Sequence, residues 1–177
     1  TAVVNLYNGA TISRQAVAYA DSGSYVARVL KGTAGATLVF MMYPIPWAPN
    51  SPISVRFKVR LAPGTTSTNT ISPSIQGYQG GSGVGAATGC TVQNPSSLSA
   101  SSWSDVIIQG CTTPNATMNN IGVMIQPGQS WLSTDGVEVD SLMIVDKSTV
   151  GNFGYGDSTD WVWNGTANAS TSTGPAQ

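Results

Sequence analysis

Residues 53–61 constrain this chain more than any other stretch. Ile53, Val55, Phe57, Val59 and Leu61 alternate with Ser54, Arg56, Lys58 and Arg60. A period of two puts the five apolar side chains on one face of a strand and the polar ones on the other. Such a strand is half-buried, and its apolar face needs a second layer to cover it. Val55, Phe57 and Val59 are therefore expected in a core. Arg56 and Lys58 are expected to be exposed, and with Arg60 they form a solvated positive row.

The remaining strands follow by pattern. Short apolar runs cover 2–6, 12–19 and 25–30, with turns at Asn8-Gly9 and at Asp21 to Gly23. Residues 37–43, TLVFMMY, read as a continuous apolar strand, too short for a typical helix. Pro44, Pro46, Pro49 and Pro52 then forbid helix and central strand alike, and leave Trp47 in a proline loop. Strands are expected at 71–78, 103–110, 121–126 and 137–145, with a loop at 94–102 and a turn around Trp131. The Gly-rich run 80–85 lacks the Gly-Lys-Ser/Thr ending of a phosphate loop, and no helix pattern follows it. About eight to ten strands separated by turn signals, with no helix, describe an all-β antiparallel sandwich or jelly roll. That domain is expected to span 1–150. Residues 151–177 form an aromatic and Ser/Thr-rich segment, either appended to the sandwich or docked on a neighbour.

The segment 151–173 is Gly-, Asn-, Ser- and Thr-rich around Phe153, Tyr155, Trp161 and Trp163. It begins with the turn Phe153-Gly154-Tyr155-Gly156-Asp157 and runs on to Trp163-Asn164-Gly165-Thr166-Ala167-Asn168-Ala169-Ser170-Thr171-Ser172. This resembles the closing signature of carbohydrate-binding-module-like domains in tailed-phage virion proteins. The family's Asp directly after Phe is missing; Gly154 stands there, and Asp157 comes later. Residues 25–30, YVARVL, resemble the second strand of carbohydrate-binding jelly rolls. The resemblance implies a structural part of a phage particle, a minor tail or capsid-surface decoration protein. Its partners would be other virion proteins or further copies of itself, and host-surface polysaccharide. The alternative is a glycan-binding module of a secreted bacterial carbohydrate-active protein. The resemblance also implies that Trp103, opening its strand, packs as core, and that a structural calcium is held by Asp140 with help from Asp21. Rings as large as Trp161 and Trp163 need a surface to cover them. Phe153, Tyr155, Trp161 and Trp163 are therefore expected to be assembly contacts.

Composition narrows the chemistry. Charged residues are 8% of the chain and the net charge is −1, against about a quarter charged in ordinary domains. With no Lys/Arg cluster, nucleic-acid binding is not expected. No apolar run reaches the roughly 20 residues of a membrane span. There is no histidine, so the commonest general base and metal ligand is missing. Glycosidases use two carboxylates about 5 to 10 Å apart. Asp135, Glu138 and Asp140, and separately Asp157 and Asp160, are the candidates, but no motif supports catalysis and an enzyme is not expected. Sugar binding needs flat aromatics beside amides. Tyr43, Trp47, Tyr78 and Trp131 offer the rings, and Gln76, Gln79 and Gln126 the amides. Cys90 and Cys111 lack the spacing of a zinc site. A disulfide and two reduced thiols both remain open.

Overall fold

The computed structural model describes residues 3–6, 10–21, 23–32, 40–67, 70–115, 117–127, 131–151, 162–163 and 172–173; for 3–6, 40–44, 127, 162–163 and 172–173 it describes the backbone only. Phe153, Tyr155, Trp161 and the side chains of Tyr43 and Trp163 thus lie outside the described residues, as do most of 151–177.

The described elements are strands: β1 (Val3–Leu6), β2 (Thr11–Ala16), β3 (Tyr25–Leu30), β4 (Phe40–Pro46), β5 (Pro52–Leu61), β6 (Ile71–Gln79), β7 (Ser82–Ala86), β8 (Thr91–Gln93), β9 (Ser104–Thr112), β10 (Asn120–Pro127), β11 (Gly136–Val145), β12 (Val162–Trp163) and β13 (Ser172–Thr173). They form a five-stranded sheet, β1-β4-β10-β6-β7, a six-stranded sheet, β2-β3-β11-β5-β9-β8, and a separate two-stranded pair, β12-β13. All pairings are antiparallel. The fold is the antiparallel sandwich that the pattern predicts.

The core lies between the two large sheets. Val29, Ile53, Val55, Phe57, Val59, Val106, Ile108, Val137 and Val139 meet Ile71, Ile75, Ile121, Val123 and Ile125. Burying a side chain of this kind stabilises by about 1.5–3 kcal/mol. The row Ile53 to Leu61 therefore does what its alternation requires. Gly136 is held where the layers crowd: a Cβ there would lie 2.2 Å from the Val29 carbonyl oxygen, so no other residue fits.

One local expectation changes. The strand expected to stop at residue 43 runs on through Pro44 and Pro46. Pro44 is tolerated because the β4–β10 register slips between Ile121 and Val123, where a bulge removes a ladder position. The Gly-rich run 80–85, which is no phosphate loop, makes a hairpin. Gly80 and Gly81 turn with positive φ, and β7 returns along β6 as a hairpin.

Two cross-links tie loops to the sheets. Cys90 and Cys111 form a disulfide, so the chain entering β8 is bound to β9. Closing a loop of 21 residues stabilises by about 3 kcal/mol in the chain-entropy account. Asp135, with no exposed surface, anchors the segment after β5 to the entry of β11. It accepts hydrogen bonds from Thr66 N at 3.0 Å, Ser67 Oγ at 2.6 Å and Leu132 N at 2.7 Å. Its carboxyl is thereby committed to structure.

Burial alone would raise the Asp135 pKa, but the bonds from Ser67, Thr66 and Leu132 outweigh it and hold the carboxyl below its ordinary value of 3.8. A carboxyl depressed on folding adds stability above its unfolded value, and loses it as pH falls through the folded one. Asp135→Asn should therefore cost about 1–3 kcal/mol at neutral pH. Its deficit against the wild type should shrink as urea denaturation is repeated below about pH 4. A deficit that stays constant with pH would contradict this account.

Candidate functional site

The six-stranded sheet buries one face and turns the other outward. On β5 the outward residues are Ser54, Arg56, Lys58 and Arg60. The register places Glu138 of β11 between Arg28 of β3 and Arg60 of β5. One row thus crosses three strands, Arg28–Glu138–Arg60, about 10 Å wide at the usual strand spacing. The next row is Asp140–Lys58–Asp105, and Met143–Arg56–Ile107 follows.

These rows are not a solvated positive stripe. Arg60 is buried, and Arg56 and Lys58 are half-buried rather than exposed. Each faces a carboxylate. Asp105 accepts from Arg56 Nε at 3.0 Å and from Lys58 Nζ at 2.9 Å. Glu138, with no exposed surface, accepts at Oε1 from Arg28 Nε at 2.9 Å, Arg28 Nη2 at 2.6 Å and the Tyr19 hydroxyl at 3.1 Å. Its Oε2 lies 3.3 Å from Arg60 Nε. The sequence expectation failed because charge answered by charge on the next strand can be covered, whereas a lone row cannot.

Electrostatics follow the geometry. Burial works against charge on Arg28, yet the bonds and charge of Glu138 prevail and raise its pKa. Burial likewise works against the Asp105 carboxylate, and the bonds from Arg56 and Lys58 override it, lowering its pKa.

The cover over Glu138 comes from the β2–β3 connection. A bulge in β11 between Asp140 and Met143 turns Ser141 into the left-handed region, φ 52°. Its hydroxyl donates to Asp21 Oδ2 at 2.6 Å, and its N–H donates to Asp140 Oδ1 at 2.7 Å. The tied connection brings Tyr19 over Arg60, whose guanidinium lies 4.0 Å from the ring centroid. The Trp103 ring centroid lies 5.6 Å from the same guanidinium, and its indole N–H donates to the Tyr19 carbonyl at 2.8 Å. Trp103 is therefore half-buried on the outer face, not packed in the core as the resemblance implied. Tyr19 remains 37% exposed. The result is a tyrosine ring with a fixed cation beneath it, a tryptophan beside it, and oriented guanidinium and carboxylate groups along the row.

The ring and amide residues singled out in the sequence are dispersed. Gln76 and Tyr78 of β6 point outward from the five-stranded sheet, with Gln126 and Asn120 of β10 on the same face. Tyr78 is only 4% exposed, with its hydroxyl 3.9 Å from Met124 Sδ. Gln79 is exposed at the hairpin. Tyr43 contributes its backbone to β4 of that sheet. Trp47 packs against the core in part, and Trp131, at 2% exposure, belongs to the core. Burial leaves Trp131 no surface for a ligand.

The two residues of the calcium expectation do meet, since Asp21 and Asp140 are both bonded by Ser141. Among the described residues no group of three or more potential metal-ligating His, Cys, Asp or Glu side chains occurs. Tyr19, Arg28 and Arg60 were not marked as a site in the sequence. Outward placement of Arg28, Arg60 and Glu138 follows from strand alternation, but nothing local says that the three are neighbours.

No protein-family model matches the sequence, and no curated protein matches it. Solved structures do. The C-terminal family 22 carbohydrate-binding module of Clostridium thermocellum Xyn10B is 14% identical, with a TM-score of 0.59 over 84% of this chain and 88% of that one. The first such module of Paenibacillus barcinonensis Xyn10C, a xylan-binding domain, is 9% identical, with a TM-score of 0.56 over 84% and 87%. A third family 22 xylan-binding domain is 12% identical, with a TM-score of 0.57 over 84% and 89%. The fold is thus that of carbohydrate-binding-module β-sandwiches.

Removing Glu138 would leave two arginines facing each other without a counter-charge. Glu138→Ala should destabilise by about 3 kcal/mol or more. Asp105→Ala, at a partly exposed site, should cost about 1 kcal/mol or less. Urea unfolding of both variants measures the difference, and equal costs would show that Glu138 is not the keystone of the face.

Proposed function

We propose that this domain is a non-catalytic, polysaccharide-binding module of an extracellular carbohydrate-active protein. It binds a neutral glycan chain across the outer face of the six-stranded sheet. The arrangement of Tyr19, Arg60 and Trp103 above the Arg28–Glu138 pair carries the proposal. A pyranose presents an apolar C–H face and a rim of hydroxyls. An exposed tyrosine ring, stiffened by the cation beneath it, suits the first. Arg28, Lys58 and Asp105, each with its position fixed by a partner, suit the second. On this face the cations are answered by Glu138 and Asp105, with Asp140 opposite Lys58 in the register, so the surface suits an uncharged ligand. Two xylan-binding domains with this fold make a xylan-like chain the first glycan to try.

The carboxylates favour binding over hydrolysis. Glu138 has no exposed surface: Arg28 and Tyr19 occupy its Oε1, and its Oε2 is buried 3.3 Å from Arg60, so neither oxygen can reach a scissile bond. The Cys90–Cys111 disulfide suits an oxidising, extracellular setting. A role in a phage particle rests on the turn from Phe153 to Asp157 and the run from Trp163 to Ser172. The assembly role of 151–177 rests on the need of rings such as Trp161 and Trp163 for a covering surface.

Titration calorimetry with soluble xylan tests the proposal. Trp103→Ala and Tyr19→Ala should each weaken binding about tenfold or more, as loss of a stacking ring does. Gln76→Ala, on the opposite sheet, should leave it unchanged. If Gln76→Ala is the variant that loses binding, the site lies on the five-stranded sheet instead.

A structural calcium near Asp21 and Asp140 is part of the same proposal. Its presence should raise the thermal midpoint on calcium addition, reversibly with chelator. Asp140→Asn should lose that response. A midpoint that calcium does not move would remove the ion from the proposal.

A further inference from the structure

The face of β2 and β3 that turns toward the core changes character along the strands. Val29 is fully buried, Ala27 is half-buried, and Tyr25 is 48% exposed. On β2, Ile12 is half-buried and Arg14 exposed. The register sets Ile12 opposite Val29, Arg14 opposite Ala27 and Ala16 opposite Tyr25, so all of these side chains share one face. Where the core ends, the sheet edge opens into a cleft of about 380 Å³ lined by Ile12, Ser13, Arg14, Tyr25, Val26 and Ala27, of which Ile12, Arg14, Tyr25 and Ala27 share this face. That volume is within the range of small-ligand sites, about 300–1,000 Å³.

Arg14 is set apart by its partners. Arg28, Arg56 and Arg60 each face a carboxylate. Arg14 has no carboxylate partner among the described residues; its guanidinium lies 3.6 Å from the Tyr25 ring centroid. Stacking holds the cation in place without using its N–H groups, and among the described residues nothing accepts from them.

We propose that this cleft binds an anionic sugar unit, a pyranose bearing a carboxylate, as in a uronic acid. The guanidinium fork matches a carboxylate with two parallel hydrogen bonds. The Tyr25 ring and the apolar floor of Ile12 and Ala27 receive the C–H face of the sugar. Because the ring pre-sets the guanidinium, little side-chain freedom is lost on binding. The cleft lies on the opposite side of β3 from Arg28, so it is a second site that does not rest on the reading of the Tyr19–Trp103 face.

Titration calorimetry with a short oligogalacturonate tests this. The wild-type domain should bind it, with affinity falling as salt is raised. Arg14→Gln and Tyr25→Ala should each weaken binding about tenfold. Both residues are exposed, so the variants should keep the wild-type thermal midpoint, and that is measured alongside. Trp103→Ala should leave oligogalacturonate binding intact even where it abolishes xylan binding. No binding by the wild type, equal binding by Arg14→Gln, or loss in Trp103→Ala would each overturn the proposal.

Discussion

The outer face of the six-stranded sheet depends on one buried carboxylate. Glu138 sits on the solvent side of its strand yet has no exposed surface. A carboxylate in that position is tolerable only if its charge and lone pairs are answered. Arg28 and the Tyr19 hydroxyl bond its Oε1, and Arg60, 3.3 Å from its Oε2, adds a second counter-charge, so three different elements converge on it. An ion pair of this kind adds little net stability compared with an apolar substitute, but it is unforgiving of misplacement. It therefore fixes where β3, β11, β5 and the β2–β3 connection stand relative to one another.

Everything beneath that layer is ordinary sandwich energetics. Two sheets bring alternate apolar residues together, and burial supplies the stabilisation. The loops are held by separate means. Asp135 gathers donors from both sides of the entry to β11, and the disulfide binds the chain entering β8 to β9. A bulge at Ser141 spends one strained residue to aim a hydroxyl at Asp21. That contact and the Trp103–Tyr19 bond keep an exposed ring in one position, which lowers the ordering cost of receiving a flat ligand.

The two proposed sites divide ligands by charge. On the outward side of β3, cations and carboxylates are matched across the strands, and the surface suits a neutral chain. On the other side, past the end of the core, Arg14 is stacked on Tyr25 and has no carboxylate partner among the described residues. A polysaccharide with neutral backbone units and acidic branches carries both chemistries. The sheet separates the two surfaces, so each can be altered without disturbing the other.

Much of the fold was legible in the amino-acid order. Alternation from Ile53 to Leu61 set which side chains are core, and apolar runs bounded by Gly, Asn and Pro located most strands. These are local properties, because side-chain direction in a strand follows from its own period of two. The site was less legible. Arg60 read as a solvated cation and Trp103 as core, because their surroundings come from residues 40 to 84 positions away. The continuation of β4 through Pro44 likewise depends on a bulge shared with β10. Which strands become neighbours, and in what register, is decided when both layers close over a common core. Only then does Glu138 fall between two arginines, and only then do Cys90 and Cys111 come within bonding distance. The sequence determined which faces exist; tertiary structure determined what each face meets, since strand pairing is non-local and is selected by the packing of the whole sandwich.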